Sequence, residues 1–376
     1  MPLTPVVMKS KAFILVLFSL IQSSLAFSQT LFSNPTDTID RKLYTYAQNT
    51  PAELVHDINR LVDYLEQPAP TKKDIVKSFS YWIIQNISYD ISGFLNNVYN
   101  TNGVAGTLAT RRGVCQDYSE LFKAMCDRAG IKCYVITGYG KAFDYKPGYK
   151  FDKANHSWNV INLDGSYYLV DLTWSSGYVD YVDDQWRYFI KPDISHLFTT
   201  PELFVEKHLP ADPQWQLLSH PVSMNAFMRY SNHTDMLKES SKYFNYADSI
   251  RTYETLDKDL QDLKAADDAY NFYPIVSDYA YHYYNQAVEF SNNATDSYNA
   301  AVTSYNKSIN DNGGAPVASG DYNKTIVSGA ISNYSKAIKL LNKIGNYADS
   351  QINAHDLLQK CNLGLDASNE LLRTLR

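Results

Sequence analysis

The chain has 376 residues, a net charge of −6 and 45% hydrophobic residues, which fits one large globular domain or two to three smaller ones. The acidic balance, with no basic stripe and no zinc-finger or RNA-binding aromatic spacing, argues against nucleic acid or an anionic membrane surface as partner. Four cysteines do not make a disulfide framework in a chain long enough to bury its own core.

The N-terminus reads as a secretory address. Lys9 and Lys11 precede an apolar run from Ala12 to Ile21, and Ala26-Phe27-Ser28 places small residues where a signal peptidase reads. Cleavage is expected before Gln29, with residues 1–28 as signal peptide and Met8 as an alternative start. The run is too short to span a bilayer, and no cysteine follows it to carry a lipid; an uncleaved anchor is the competing reading. The expectation is an exported chain, periplasmic or secreted, with no membrane span after cleavage.

Residues 29–49 read as an extended lead-in. From Pro51 onward Leu54, Ile58, Leu61, Val62 and Leu65 recur at helical spacing. Thr71, with Asp74 three residues on, is an N-cap for a helix through Ile75, Phe79, Trp82, Ile83 and Ile87. Gly93 to Gly113 reads as a Gly- and Asn-rich loop. A helix then opens at Cys115, with Tyr118, Leu121, Phe122, Met125 and Ala129 on one face and Gly130 as its stop. The period changes to that of a strand in IKCYVITGY. HSWNVINLDGSYYLVDLTW reads as two strands joined at Asp164-Gly165. From Asp183 to Phe227 the Pro- and aromatic-rich stretch reads as an irregular extension packed on the strand domain. The remainder reads as helical to its end, interrupted by a flexible loop at 310–321. Weak self-similarity at Tyr284, Tyr305 and Tyr334, and NYADS at both Asn245 and Asn346, suggests stacked tetratricopeptide-like helices or a plain bundle.

Three residues in this pattern can carry chemistry. Cys115 stands at a helix start, where free N–H groups and the helix dipole favour a thiolate. His156 opens one strand of the hairpin and Asp171 stands near the end of the other. A thiol needs an imidazole to deprotonate it, and the imidazole needs a carboxylate to orient it and stabilise its charge. If Cys115 to Cys126 is helical, those two sulfurs lie about 16 Å apart along the axis, beyond disulfide reach. Cys126 and Cys133 flank the Gly130 turn and could pair, or be two buried thiols.

The stretches WIIQNISYD, GVCQDYSELFKAMCDRAGI and NHSWNVINLDGSYYLVDLTW resemble the transglutaminase-like superfamily, which shares the papain-like order Cys, His, Asp. FVEKHLPADPQWQLLSHPVSMNAF resembles the extension of its exported bacterial and kyphoscoliosis-peptidase-like branch, so the likeness covers about residues 55 to 227. The resemblance implies an α+β, papain-like core at 50–227; it does not cover the all-α domain at 228–376, which rests on the helical pattern alone. It implies Cys115 as nucleophile, His156 as general base and acid, Asp171 as orienting carboxylate, and Trp158 and Trp174 as structural aromatics. Tyr89 is the candidate for a second oxyanion donor. The expected activity is on protein or peptide amides through a Cys thioester, with hydrolysis favoured over transfer to an amine. A protein-glutamine transglutaminase is the close alternative, and a non-catalytic envelope scaffold using the C-terminal helices is an alternative of another class. No metal or organic cofactor is expected; a protein or peptide substrate is. Cys126, Cys133 and Cys361 read as structural, His196, His208, His220 and His233 as surface or packing residues, and Asp183-Asp184 as a solvated loop.

Overall fold

Residues 38–48, expected to be extended, form helix α1 (Thr38–Gln48), because Leu43, Tyr44 and Ala47 bury one face. Asp40 anchors it: Lys77 lies 2.8 Å away and the Tyr81 hydroxyl donates to it at 2.7 Å. The structure is a computed structural model that describes residues 38–96, 103–142, 145–146, 148–239, 242–311, 313, 321–347 and 352–375. The expected signal peptide and most of the 310–321 loop lie outside the described residues.

Helix α2 (Ile58–Glu66) is capped by Asp57, and α3 (Lys72–Asn86) by Thr71, whose Oγ1 accepts from the Asp74 N–H at 3.2 Å. The stretch expected as one loop holds α4 (Ile91–Asn96) and α5 (Gly103–Thr110), and its end, β2 (Arg112–Gly113), pairs in parallel with β1 (Ser88–Tyr89). Next comes α6 (Cys115–Arg128), whose buried Tyr118, Leu121, Phe122 and Met125 join one core with Phe79, Trp82 and Ile83 of α3.

That core lies against an antiparallel sheet made of β3 (Lys132–Gly140), β4 (His156–Leu163) and β5 (Ser166–Val170). Asp164 and Gly165, at φ 52° and 93°, form the two-residue turn between β4 and β5, and Leu163 pairs with Ser166. The chain continues through α7 (Leu172–Ser176) into a second hairpin, β6 (Gly177–Val182) and β7 (Gln185–Ile190). This hairpin replaces the irregular start expected for the extension. Asp183 and Asp184, at φ 51° and 58°, are its exposed turn. Strand β8 (Leu197–Thr199) adds to the β5 edge, helix α8 (Pro201–Phe204) follows, and β9 (His208–Pro210) closes the order β8-β5-β4-β3-β9.

The chain divides into two compact units. The first ends at His208, and the second takes in everything from Leu209 together with residues 148–154. The sequence placed this boundary at 227/228. It lies earlier because the segment after His208 builds into the helical unit: Ser249 bonds Gln214 at 2.9 Å, and the rings of Phe151 and Phe227 lie 5.8 Å apart.

The second unit runs α9 (Met224–Arg229), α10 (His233–Lys238), α11 (Tyr246–Glu254), α12 (Lys258–Phe272), α13 (Val276–Asp311), α14 (Asp321–Ile344) and α15 (Ala354–Thr374). Tyr284 and Tyr305 share the 36-residue helix α13, so these two motifs do not mark successive helix pairs. Ala280, Ala287 and Ala294 bring α13 close to Ala330 and Ala337 of α14. Gly364 lets α15 meet Tyr334: a Cβ there would stand 2.3 Å from Tyr334 Cζ.

Candidate active site

Cys115 is the first residue of α6 and is half-buried. Two features set this start. Asp117 Oδ2 accepts the Val114 N–H at 2.7 Å, closing half of a capping box. Gly113 makes room for it, since a Cβ at 113 would stand 2.4 Å from Asp117 Cβ. The free N–H groups of this first turn sit beside the thiol.

Strand β4 brings His156 to the same place. Asn159 locks the strand to α6 and β3, donating to Ser119 O at 3.0 Å and to Tyr134 O at 3.2 Å. Gly140 admits the imidazole, for a Cβ there would lie 3.0 Å from His156 Cβ and 3.2 Å from its Cγ.

Asp171 is not a strand residue. Strand β5 stops at Val170, and Asp171 caps α7, its Oδ1 accepting the Trp174 N–H at 3.1 Å. The register Asn159↔Val170 sets Asp171 opposite Trp158, so His156 is its diagonal neighbour two residues along β4. The reach is closed by side chains, with His156 Nε2 2.8 Å from Asp171 Oδ2. That leaves Nδ1 of His156 outside the carboxylate bond, and neighbouring Cys115 favours the charged form of the ring.

The electrostatics follow from burial and pairing. Both His156 and Asp171 are buried. Burial opposes charge on His156, but the Asp171 charge, its hydrogen bond and neighbouring Cys115 outweigh it and raise the imidazole to about 10. Burial likewise opposes the Asp171 carboxylate. The His156 charge and two imidazole hydrogen bonds win, holding it well below the usual carboxylate range.

The second imidazole belongs to His208, for which the sequence suggests only a surface or packing role. It is buried, with Nε2 2.9 Å from the same Asp171 Oδ2. Its only sequence signal was a histidine inside an apolar, Pro-flanked stretch. Of the others, His196 lies with its ring 5.7 Å from Trp174, His220 is exposed, and His233 opens α10. Trp174 stacks on His156 at 5.1 Å and 23°, and Trp158 packs edge-on against His208. Tyr89 pairs with Gly113, two residues before the thiol, and its ring lies 6.3 Å from that of Tyr188. Cys126, Cys133 and Cys361 are free and buried.

His156, Asp171 and His208 gather three atoms of metal-ligand type within 4.8 Å. Those atoms already bond to one another at 2.8 and 2.9 Å, the spacing of charge-assisted hydrogen bonds, so the trio fits a proton-holding network better than a metal.

Residues 59–172 match the family model described as the Transglutaminase-like superfamily. The chain is 34% identical over 187 residues to the human kyphoscoliosis peptidase, covering 50% of this chain and 28% of that protein. It is 30% identical over 181 residues to the Lim and transglutaminase domain protein ltd-1 of Caenorhabditis elegans, covering 45% and 24%. The chain thus spans about a quarter of the length of these relatives. A solved structure described as a TGase aligns over 37% of this chain and 39% of its own, at 16% identity and a TM-score of 0.25.

Proposed function

We propose that the chain, which belongs to the transglutaminase-like superfamily, works as a cysteine enzyme on protein or peptide amides, with Cys115 as nucleophile, His156 as base and acid, and Asp171 as its orienting carboxylate. The observation that carries this reading is the buried His156–Asp171 pair set against a cysteine at a helix start. Cys115 Sγ adds to the amide carbonyl carbon, and the α6 N–H groups face the charge that develops on oxygen. His156 gives its proton to the departing nitrogen, the C–N bond breaks, and ammonia or an amine leaves behind a thioester. Water, giving a proton to His156, then cleaves the thioester to a carboxylic acid and the free thiol. An amine in place of water would form a new amide. We favour water as the acceptor, because Cys115 is only half-buried and hydrolysis needs no second organic substrate to be held at the site.

Glutamine-containing peptides incubated with and without a primary amine test this directly. Free acid as the main product supports hydrolysis, amine incorporation as the main product supports transglutamination, and no acyl transfer contradicts both. Export is part of the same proposal and rests on the residue 8–28 pattern. Its check is N-terminal sequencing of the mature chain, which should begin at Gln29.

A further inference from the structure

The chemistry above uses one histidine, yet the structure places two on one carboxylate oxygen. His156 Nε2 and His208 Nε2 approach Asp171 Oδ2 at 2.8 and 2.9 Å, while Oδ1 is held by the Trp174 N–H. The two rings differ in their other nitrogen. On His156 it is the nitrogen left over from the Asp171 bond, with Cys115 among the groups that favour the charged ring. Nδ1 of His208 is buried and has no hydrogen-bond partner.

The wall around His208 is aromatic. Phe204 stacks on it at 4.0 Å and 18°, Trp174 lies at 4.2 Å, and Trp158 meets it edge-on at 5.2 Å. The titratable groups facing it are Asp171, His156 and, with ring centres 6.2 Å away, His196. A protonated His208 would bury an N–H without an acceptor, whereas an unprotonated Nδ1 buries only a lone pair. Burial, opposed by the Asp171 bond and charge and aided by His156 and His196, keeps the ring down at about 4. His208 is therefore neutral near pH 7, with its proton on Nε2.

Resting on the reading of Cys115, His156 and Asp171 as a triad, we propose that His208 is a positioning residue that acts through Asp171. Its N–H fixes the carboxylate and, by sharing one oxygen with His156, limits how tightly Asp171 holds the His156 proton. Two donors on one oxygen divide its charge, so each bond is weaker than it would be alone. The consequence is kinetic: a general acid must release its proton to the leaving amine, and an imidazolium held too firmly does so poorly.

The test is a pH titration by NMR of the full chain labelled with 15N-histidine, in the wild type and in His208→Phe. Phenylalanine keeps the ring within its aromatic cage and removes only the donor. The wild-type His156 midpoint should lie well above the ordinary value of about 6.5, and His208→Phe should raise it further by about half a unit or more. An unchanged or lowered midpoint overturns the role of His208 and leaves the triad standing. A wild-type His156 that titrates near 6.5 removes the triad reading itself, and this inference with it. The wild-type spectra also test the proposal if the variant does not fold: His208 should be neutral with its proton on Nε2 from pH 5 to 8. A proton on Nδ1, or a charged ring, contradicts it.

Discussion

Asp171 does two structural jobs at once, capping α7 through Oδ1 and receiving imidazoles on Oδ2. Asp171→Asn separates them. The amide still caps the helix, but it no longer pairs with the charged His156, so the melting temperature near pH 7 should fall. Activity should fall on the order of 10⁴-fold, because a neutral amide neither stabilises the imidazolium nor selects the tautomer that leaves Nδ1 free for Cys115. Turnover of a peptide amide beside a thermal melt checks both halves. The pH dependence of stability separates the two histidines. His156, raised to about 10 from about 6.5, contributes stability that is full below pH 6.5 and is lost as pH rises towards 10. His208, lowered to about 4, acts oppositely: as pH falls from 6.5 towards 4 the unfolded chain takes a proton that the folded one refuses, and stability drops. In His208→Phe the melting temperature should therefore fall less steeply across pH 6.5 to 4 than in the wild type, and equal slopes would contradict this account.

The helix that carries Cys115 and the helix α3 packed in the same core are each held at their start. Thr71→Ala removes the α3 cap and should cost about 1 kcal/mol, read as a lower denaturant midpoint with an unchanged slope. Gly113→Ala forces a methyl group into Asp117 and should cost about 1–3 kcal/mol while displacing the start of α6, so Cys115 reactivity should fall with stability. These elements were readable in the sequence because their signals are local: Thr71 and Asp74 at cap spacing, Gly113 before Cys115, Asp164-Gly165 between alternating strands. Helix α1 was not readable, because Asp40 finds its partners in Lys77 and Tyr81, far along the chain. The place of His208 was hidden for the same reason: Phe204, Trp174 and Trp158 come from three separate elements. The reach from His156 to Asp171 was half legible. The hairpin pattern puts His156 and Asp171 on neighbouring strands, but only the register shows that they meet diagonally.

At the scale of the whole chain, the Cys115, His156, Asp171 and His208 site lies within the first of two units, and the second has its own core of Ala and Tyr residues on α13, α14 and α15. Gly364→Ala tests that separation. The new methyl group meets Tyr334, whose hydroxyl is bonded to Thr295 at 2.9 Å, so the helical unit should lose about 1–3 kcal/mol. Hydrogen exchange should rise across α13 to α15 and stay unchanged across α6 and β4. The helical character of this region was evident from its periodicity. Its arrangement was not, because repeated Tyr-x-x-Ala spacing serves one long helix as well as several short ones.

The central claim, that Cys115 and His156 act as a pair, is tested most directly by alkylation of Cys115 at pH 6, read by peptide mass spectrometry in the folded wild type and in His156→Ala. The pair predicts rapid modification in the wild type and a rate at least tenfold lower in the variant, because an ordinary thiol with a pKa of about 8.5 is almost wholly protonated at that pH. Equal rates in the two proteins would contradict the account and leave Cys115 a thiol beside a histidine with no chemical bond of purpose between them.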